Sequence, residues 1–300
     1  PIEALSGCYA HEPDDLAMII FTSGSMGIKK AVCLSQESIF ITASNTIPTY
    51  DYKKSDLELI YLPLQHGFGI NQIHALIHNK HSVYIPENLL SLSSFFEVLD
   101  KERVTCISMI PSILNLLTHK YIDVLKSIKD LRFILLGAES VRRQAIEKLL
   151  KQIPSLNIYS FYGLTEAPRS TSCRLNDFLG QKEFSIGKAL PGISVNLKAS
   201  KEDTDGEGEI AIQGAHIMLG YMHEIDSKEN GSSKTNEILS GDLGLKNSNG
   251  NFYLRPRKDD FFKKSGFKVY PIEIENIVQE KLSEVFNCAA VWVDLENSHQ

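Results

Sequence analysis

Short apolar runs that each end in a polar loop dominate the first half of the chain. They occupy residues 17–21, 104–109, 132–136 and 157–161. Continuous apolar runs of this length are typical of strands that are buried on both faces, as in a parallel sheet. Loops that carry chemistry are expected at the carboxyl ends of such strands.

Amphipathic segments alternate with these runs. The apolar spacing behind residues 132–136 predicts a helix with one buried face, formed by Val141, Ala145, Ile146, Leu149 and Leu150. Pro111 is placed to open another helix, because proline suits the first helical position. The alternation predicts an α/β fold with buried, largely parallel strands.

The pattern of apolar and polar residues changes after about Gly180, where glycines recur and separate short segments. This pattern predicts a smaller β-rich section, with a turn at Gly206 and a strand over residues 209–213. The charged residues 255–264 are interpreted as a linker. A further helix is predicted behind Pro271, with an apolar stripe of Ile274, Ile277, Val278 and Leu282.

Composition narrows the classes of function. The chain has 300 residues, 43% of them hydrophobic, and a net charge of -6. It has no long basic run, which disfavours a nucleic-acid surface, and no apolar stretch long enough to cross a membrane. The cysteines are scattered and five in number, which argues against a disulfide framework and favours a reducing cytoplasm. Pro1 in place of methionine indicates a piece of a longer chain.

Residues 22–30 form a candidate phosphate loop. Glycine lets backbone N–H groups approach a phosphate, hydroxyls donate hydrogen bonds, and a lysine neutralises charge. The residues concerned are Thr22, Ser23, Gly24, Ser25, Gly27 and Lys30. The glycine spacing differs from the Walker loop, and taken alone the segment also suits a solvated turn between two strands.

Two further motifs follow. Residues 162–166 place Tyr162 and Glu166 after a strand, where a carboxylate can hold Mg²⁺ and an aromatic ring can stack on a base. Residues 240–244 place Asp242 where it can accept hydrogen bonds from ribose hydroxyls, and Arg257 follows in a charged stretch. Taken alone, residues 162–166 also suit a surface turn. Residues 240–244 also suit a hairpin turn, and the charged stretch around Arg257 also suits a solvated loop.

In this order, the three motifs resemble the adenylate-forming superfamily of acyl-CoA synthetases, firefly luciferases and peptide-synthetase adenylation domains. The resemblance covers essentially the whole chain. It includes residues 62–69, 208–210, 220–221 and 263–275, the last run being very specific to the family. It implies a large, multi-sheet AMP-binding domain over residues 1–257, incomplete at its start. Residues 258–300 would be the hinge and the start of a small α+β domain, incomplete at its end.

The resemblance also implies roles for matching residues. Residues 22–30 would hold the β- and γ-phosphates of ATP, with Lys30 as the motif lysine, and Thr165 and Glu166 would serve the α-phosphate and Mg²⁺. The nucleoside would be held by Gly137, Ala138, Glu139, Tyr162, Gly163, Asp242 and Arg257. The acyl pocket would contain His66, Phe68 and Gly69. Asp259 would be the hinge, and His66 would gate the pocket or contact the reacting carboxylate.

Several positions depart from the family pattern. Met26 replaces a threonine, Lys29 a proline, Ala31 a glycine, and Pro256 the glycine before Arg257. The family also places a catalytic lysine beyond the last residue of this chain. The piece is therefore expected to bind nucleotide but to adenylate poorly.

The sequence says less about which acid is activated and which thiol accepts the acyl group. Residues 62–69 contain His66 and no acidic residue, which favours a fatty or aryl acid over an amino acid. The first hypothesis is an acyl- or aryl-CoA ligase that uses ATP, Mg²⁺ and coenzyme A. The alternatives are an enzyme that loads a carrier protein and a non-catalytic nucleotide-binding homologue, for which Met26 and the missing lysine are the only support.

Overall fold

The structure is a computed structural model that describes residues 12–22, 29–86, 91–181, 183–199, 206–226, 237–255, 262–264, 267–282, 288–291 and 293. Its strands are β1 (Leu16–Thr22), β2 (Lys30–Ser35), β3 (Leu57–Ile60), β4 (Ser82–Tyr84), β5 (Cys106–Met109), β6 (Phe133–Leu136), β7 (Asn157–Tyr162), β8 (Thr171–Arg174), β9 (Lys188–Ala189), β10 (Ser194–Lys198), β11 (Glu207–Gln213), β12 (Gly220–Tyr221), β13 (Ile238–Lys246), β14 (Phe252–Arg255), β15 (Phe262–Lys264) and β16 (Phe267–Val269). Its helices are α1 (Gln36–Ser44), α2 (Thr46–Thr49), α3 (Gly67–Asn79), α4 (Leu92–Lys101), α5 (Pro111–Lys120), α6 (Ile122–Ser127), α7 (Arg143–Gln152), α8 (Met222–Asp226) and α9 (Pro271–Lys281).

The largest sheet has the strand order β4-β3-β5-β6-β7-β8-β9. Its first five strands are parallel, and β8 and β9 join antiparallel at one edge. Every residue of β5 and β6 is buried, because helices cover the sheet. The core beneath those helices includes Leu59, Leu99, Ile107, Leu117, Ile134, Leu149 and Ile158. The predicted α/β fold with largely parallel strands is confirmed. The expectation for the run at residues 17–21 was wrong, because it lies in β1, which pairs antiparallel with β2 outside this sheet and leaves Ile19 and Phe21 exposed.

Two smaller sheets accompany the largest one. One is antiparallel, with the order β10-β11-β13-β14, and the other pairs β1, β2 and β12. They share a core that includes Val32, Leu34, Ile210, Ile212 and Phe252. The β-rich section predicted after Gly180 is therefore confirmed, and its predicted strand is the end of β11.

Proline and serine residues mark where two of the helices begin. Pro111 is the first residue of α5, as predicted, and the Oγ of Ser35 caps α1 by accepting a hydrogen bond from the backbone N of Ser38 at 3.1 Å. Three residues of the stripe predicted behind Pro271 lie on α9, where Ile277 is 57% exposed, and Leu282 is the residue that caps the end of the helix. Most of the charged segment read as a linker lies outside the described residues. Every helix in the described part of the chain is too short or too polar to cross a bilayer.

His216 is a fully buried histidine beside the smaller sheets. Its Nε2 is 3.0 Å from the Oγ of Ser170, and its carbonyl oxygen accepts a hydrogen bond from the Oγ of Ser38. Burial lowers the pKa of His216 from 6.5 to about 4. Between these values the unfolded chain binds a proton that the folded chain does not. The contribution of His216 to the free energy of unfolding is therefore fully present above about pH 6.5 and is lost as the pH falls towards 4.

We expect the full-length protein to lose about 3 kcal/mol of unfolding free energy through His216 between pH 7 and pH 4. Urea unfolding of wild type and His216→Gln across this range measures it, since glutamine does not titrate. The variant should show the shallower pH dependence, whereas exposed His119→Gln should keep the wild-type slope. Equal slopes for wild type and His216→Gln would contradict the assignment.

Candidate functional site

A cleft of about 1030 Å³ opens where the three sheets meet. It lies at the carboxyl ends of the parallel strands, where a ligand site of an α/β sheet is expected. Its walls come from β1, β2, the start of α3, the loops after β6 and β7, β12 and β13. The predicted site residues in its lining are Thr22, Lys30, His66, Phe68, Ala138, Gly163, Thr165 and Glu166.

The two ends of the candidate phosphate loop face each other across a β-hairpin. Thr22 closes β1 and pairs with Lys30, the first residue of β2. Antiparallel pairing thus delivers both ends of the loop to the same wall of the cleft. Ser23, Gly24, Ser25 and Gly27 lie outside the described residues, as does Met26, so their phosphate contacts stay a prediction.

Glu166 and Tyr221 form a hydrogen-bonded pair beside Lys30. The Tyr221 hydroxyl donates to Oε1 of Glu166 at 2.9 Å, and the Lys30 Nζ lies 4.8 Å from the centre of the Tyr221 ring. Burial, together with the Glu166 carboxylate, raises the pKa of Tyr221 to about 12. The hydroxyl is therefore protonated at neutral pH and orients the carboxylate. A cation, a carboxylate and a hydrogen-bond donor therefore lie together in the lining of the cleft.

A tight turn after β7 carries Thr165 and Glu166. The backbone N of Leu164 donates to the carbonyl of Ala167 at 3.0 Å, and the backbone N of Ser170 donates to the carbonyl of Tyr162 at 2.8 Å. A β-carbon on Gly163 would lie 2.4 Å from the backbone N of Arg169. Glycine is therefore required for the turn to close.

Tyr162 and Asp242 meet although eighty positions separate them in the chain. The Tyr162 hydroxyl donates to Oδ2 of Asp242 at 2.8 Å, which joins the main sheet to β13. This pairing places the two predicted nucleoside residues together. Arg257 lies outside the described residues, and its ribose contact stays a prediction.

The segment after β6 has a constrained backbone. Ala138 has a φ of 71°, a left-handed conformation that costs free energy for a residue other than glycine. A β-carbon on Gly137 would lie 2.3 Å from the Phe161 ring. The carboxylate of Glu139 accepts hydrogen bonds from the backbone N and Oγ of Ser112, which stabilises the start of α5. Its predicted contact with adenine stays a prediction.

The predicted acyl residues lie at the start of α3. His66 is the N-cap of this helix, and Phe68 packs edge-on against Phe161 with the ring centres 4.7 Å apart. Gly69 lies under the cleft wall, where a β-carbon would come 2.4 Å from the Pro63 carbonyl oxygen. Phe68 and Phe161 both line the cleft and give it an aromatic surface.

Sequence reasoning assigned no role to two residues of the cleft wall, Tyr221 and Arg169. Tyr221 belongs to the quoted pair at residues 220–221, and that motif was a signal for it. Arg169 follows the motif at residues 162–166 by three positions and carried no signal of its own, because burial of a charged side chain is not visible in one sequence. Asp259, the predicted hinge, lies outside the described residues.

The sequence matches known proteins along most of its length. The model of the AMP-binding enzyme family matches residues 7–222. A 2-succinylbenzoate–CoA ligase of Lactococcus lactis is 30% identical over 284 residues, which cover 93% of this chain and 58% of that protein. The 3-[(3aS,4S,7aS)-7a-methyl-1,5-dioxo-octahydro-1H-inden-4-yl]propanoyl:CoA ligase of Rhodococcus jostii is 26% identical, over 97% of this chain and 55% of its own length.

Solved structures share the fold. O-succinylbenzoate coenzyme A synthetase of Bacillus subtilis, in complex with the acyl-adenylate intermediate OSB-AMP, has a TM-score of 0.79 at 22% identity, over 95% of this chain and 57% of that one. The amide bond synthetase McbA of Marinactinospora thermotolerans has a TM-score of 0.77 at 19% identity, over 93% and 56% of the two chains. This chain thus spans just over half the length of the proteins it matches.

Proposed function

Because the chain belongs to the family of AMP-binding enzymes, we propose that the full-length protein activates a carboxylic acid with ATP and transfers the acyl group to coenzyme A. The observation that carries the proposal is the convergence of Thr22, Lys30, Thr165 and Glu166 on a cleft that Phe68 and Phe161 also line. The polar and charged groups suit a triphosphate, and the aromatic rings suit an apolar acid.

The first step needs positive charge more than covalent chemistry. A carboxylate oxygen attacks the α-phosphorus of ATP, the bond to the β-phosphate breaks, and acyl-adenylate and pyrophosphate form. Negative charge spreads over the phosphoryl oxygens in the transition state, which cations and N–H donors stabilise. In this proposal Lys30 would supply a cation and Thr165 a hydroxyl, and backbone donors are expected from residues 23–28, which lie outside the described residues.

Glu166 suits a magnesium ion. Mg²⁺ prefers oxygen ligands and is commonly held by one or two carboxylates together with substrate phosphates. Glu166 borders the cleft, and Tyr221 fixes its orientation through a single oxygen. When bound, the ion would neutralise phosphate charge; Glu166 would hold it from the protein side.

The second step transfers the acyl group to a thiol. The thiolate sulfur attacks the acyl carbon, the anhydride bond breaks, and AMP leaves with the oxygen that came from the acid. We propose coenzyme A as the thiol, in line with the two CoA ligases similar to this chain. Rotation of the small domain about Asp259 between the two steps remains part of the proposal, as does a cytoplasmic location.

The acid is proposed to be an aryl or cyclic carboxylic acid. Phe68 and Phe161 offer flat apolar contacts, and the acids named for the two relatives both contain rings. His66 at the cleft wall provides no carboxylate for an amino group, which argues against an amino acid substrate. A role in fatty acid metabolism is the less favoured form of the same proposal.

Acid-dependent exchange of labelled pyrophosphate into ATP by the full-length protein tests the first step. We expect exchange with ring-bearing acids and none without acid. Thioester formation, measured separately with coenzyme A and with a phosphopantetheinylated carrier protein, then identifies the acceptor. Exchange followed by transfer only to the carrier would overturn the choice of coenzyme A. ATP binding without exchange for any acid would leave the non-catalytic hypothesis.

A further inference from the structure

Arg169 is the largest fully buried side chain in the described part of the molecule. It is 2% exposed, has a φ of 48°, and ends the tight turn that carries Thr165 and Glu166. It nevertheless belongs to the lining of the cleft. A charged side chain that is removed from solvent but borders a ligand cleft costs free energy unless a partner compensates it.

The surroundings of the guanidinium compensate it in part. Arg169 lies over the rings of Phe161 and Tyr50, at 4.8 and 5.5 Å from their centres. Its Nη2 donates a hydrogen bond to Oε1 of Gln72 on α3. Gln72 in turn donates to Oε1 of the buried Glu58 at 2.7 Å. The Glu58 carboxylate is thus reached through a neutral amide and does not pair directly with the guanidinium.

Two donors of the guanidinium remain open. Within the described residues, Nε and Nη1 of Arg169 are buried and have no hydrogen-bond acceptor. Leaving a buried donor unsatisfied costs about 1–3 kcal/mol, and more for a charged group. A carboxylate suits such donors, because it accepts charge-assisted N–H bonds and neutralises the cation. Nε and Nη1 lie on different edges of the guanidinium, so one carboxylate would bind at one of the two edges.

Arg169 and Glu166 both border the cleft but have different partners. Arg169 packs among Phe161, Tyr50 and Gln72, and Phe161 belongs to the aromatic surface of the cleft. Glu166 is paired with Tyr221 beside Lys30. An acid whose reacting carboxylate lies near Glu166, and whose apolar part lies against Phe161, would bring its far end towards Arg169.

We propose that Arg169 is a specificity-determining residue that binds a second carboxylate on the acyl substrate. This inference rests on the proposed function and narrows the substrate class from aryl or cyclic acids to acids with a second anionic group. The aromatic wall holds the apolar part of such an acid, and the buried guanidinium selects for the charged end. An acid that lacks this group leaves Arg169 uncompensated, which is a strong basis for discrimination.

Matched pairs of acids test the proposal in the full-length protein. The pairs are 2-succinylbenzoate against benzoylpropionate, which lacks the ring carboxylate, and suberate against octanoate. Pyrophosphate exchange gives KM and kcat for each acid. We expect wild type to prefer the diacid of at least one pair. Arg169→Met, which keeps an apolar stem between the two rings, should raise KM for that diacid about 10- to 100-fold and leave its partner within a few-fold.

Further variants exclude a merely structural effect. Arg169→Lys should restore part of the diacid preference because it keeps the charge, and exposed Arg174→Met, five positions along, should not alter it. Equal losses for both members of each pair would overturn the inference and assign Arg169 to the reacting carboxylate or to folding. A wild-type preference for the monoacids would also overturn it, with the proposed function intact. Binding of ATP with no exchange for any acid would instead refute the proposed function.

Discussion

Glu166→Gln in the full-length protein should depress acid-dependent pyrophosphate exchange by on the order of a hundredfold or more. Glutamine has nearly the same shape and can still accept the hydrogen bond that the Tyr221 hydroxyl donates to Oε1. The fold and the local geometry should therefore survive, and the loss is that of a negative charge beside the phosphates. A higher Mg²⁺ concentration should be needed for half-maximal exchange.

Glu224 provides the matched control for this substitution. It is an exposed carboxylate near the same tyrosine, with Oε2 at 3.4 Å from the backbone N of Tyr221. Glu224 is not among the residues that line the cleft, and glutamine can still accept the bond from the backbone N of Tyr221. Glu224→Gln therefore removes the same charge from the neighbourhood, and exchange should stay within a few-fold of wild type. An unaltered exchange rate in Glu166→Gln would reduce Glu166 to a structural partner of Tyr221.

Gly163→Ala is expected to have a comparably large effect through the backbone. The added β-carbon would lie 2.4 Å from the backbone N of Arg169 and 2.8 Å from the carbonyl oxygen of Ala167, and neither atom can rotate away. The turn must open, which moves Thr165 and Glu166. Displacement of catalytic groups by about 1 Å can cost about a hundredfold in rate, and overpacking of this kind costs about 1–3 kcal/mol of stability.

Gly250→Ala separates lost geometry from lost stability. Gly250 has a φ of 80° and open space around it, so alanine there adds backbone strain but no contact. It should lower the melting temperature slightly and leave exchange unchanged. If Gly163→Ala keeps near-normal exchange at a temperature where both variants are folded, the turn after β7 is not what positions Thr165 and Glu166.

The parts of the fold that depend on nearest neighbours were predictable. Apolar runs such as residues 133–136 are buried on both faces, and Pro111 is the first residue of a helix. Both features depend on a few consecutive residues, so a short stretch of sequence predicts them. The placement of residues 162–166 after a strand followed from the same pattern. These signals were enough to predict that loops carrying chemistry lie at the carboxyl ends of the strands.

The contacts that define the site were not predictable in the same way. Glu166 and Tyr221 are 55 positions apart, and Arg169 and Gln72 are 97 apart. No local pattern encodes such pairs, since they arise only when the sheets pack. Arg169 is the clearest case, because an arginine after a turn is ordinarily exposed. Glu139 is the opposite case, because the sequence assigned it a role that no contact in the structure tests. Its carboxylate instead accepts a hydrogen bond at the start of α5, 27 positions away, and the sequence did not indicate this contact.

The fate of a single oxygen atom tests the central claim most directly. A ring-bearing diacid labelled with heavy oxygen in its carboxylates is incubated with the full-length protein, ATP, Mg²⁺ and coenzyme A, and the products are examined by mass spectrometry. If a carboxylate oxygen attacks the α-phosphorus in this cleft, the AMP must carry one labelled oxygen and the pyrophosphate none. Unlabelled AMP, or label in inorganic phosphate, would contradict the account.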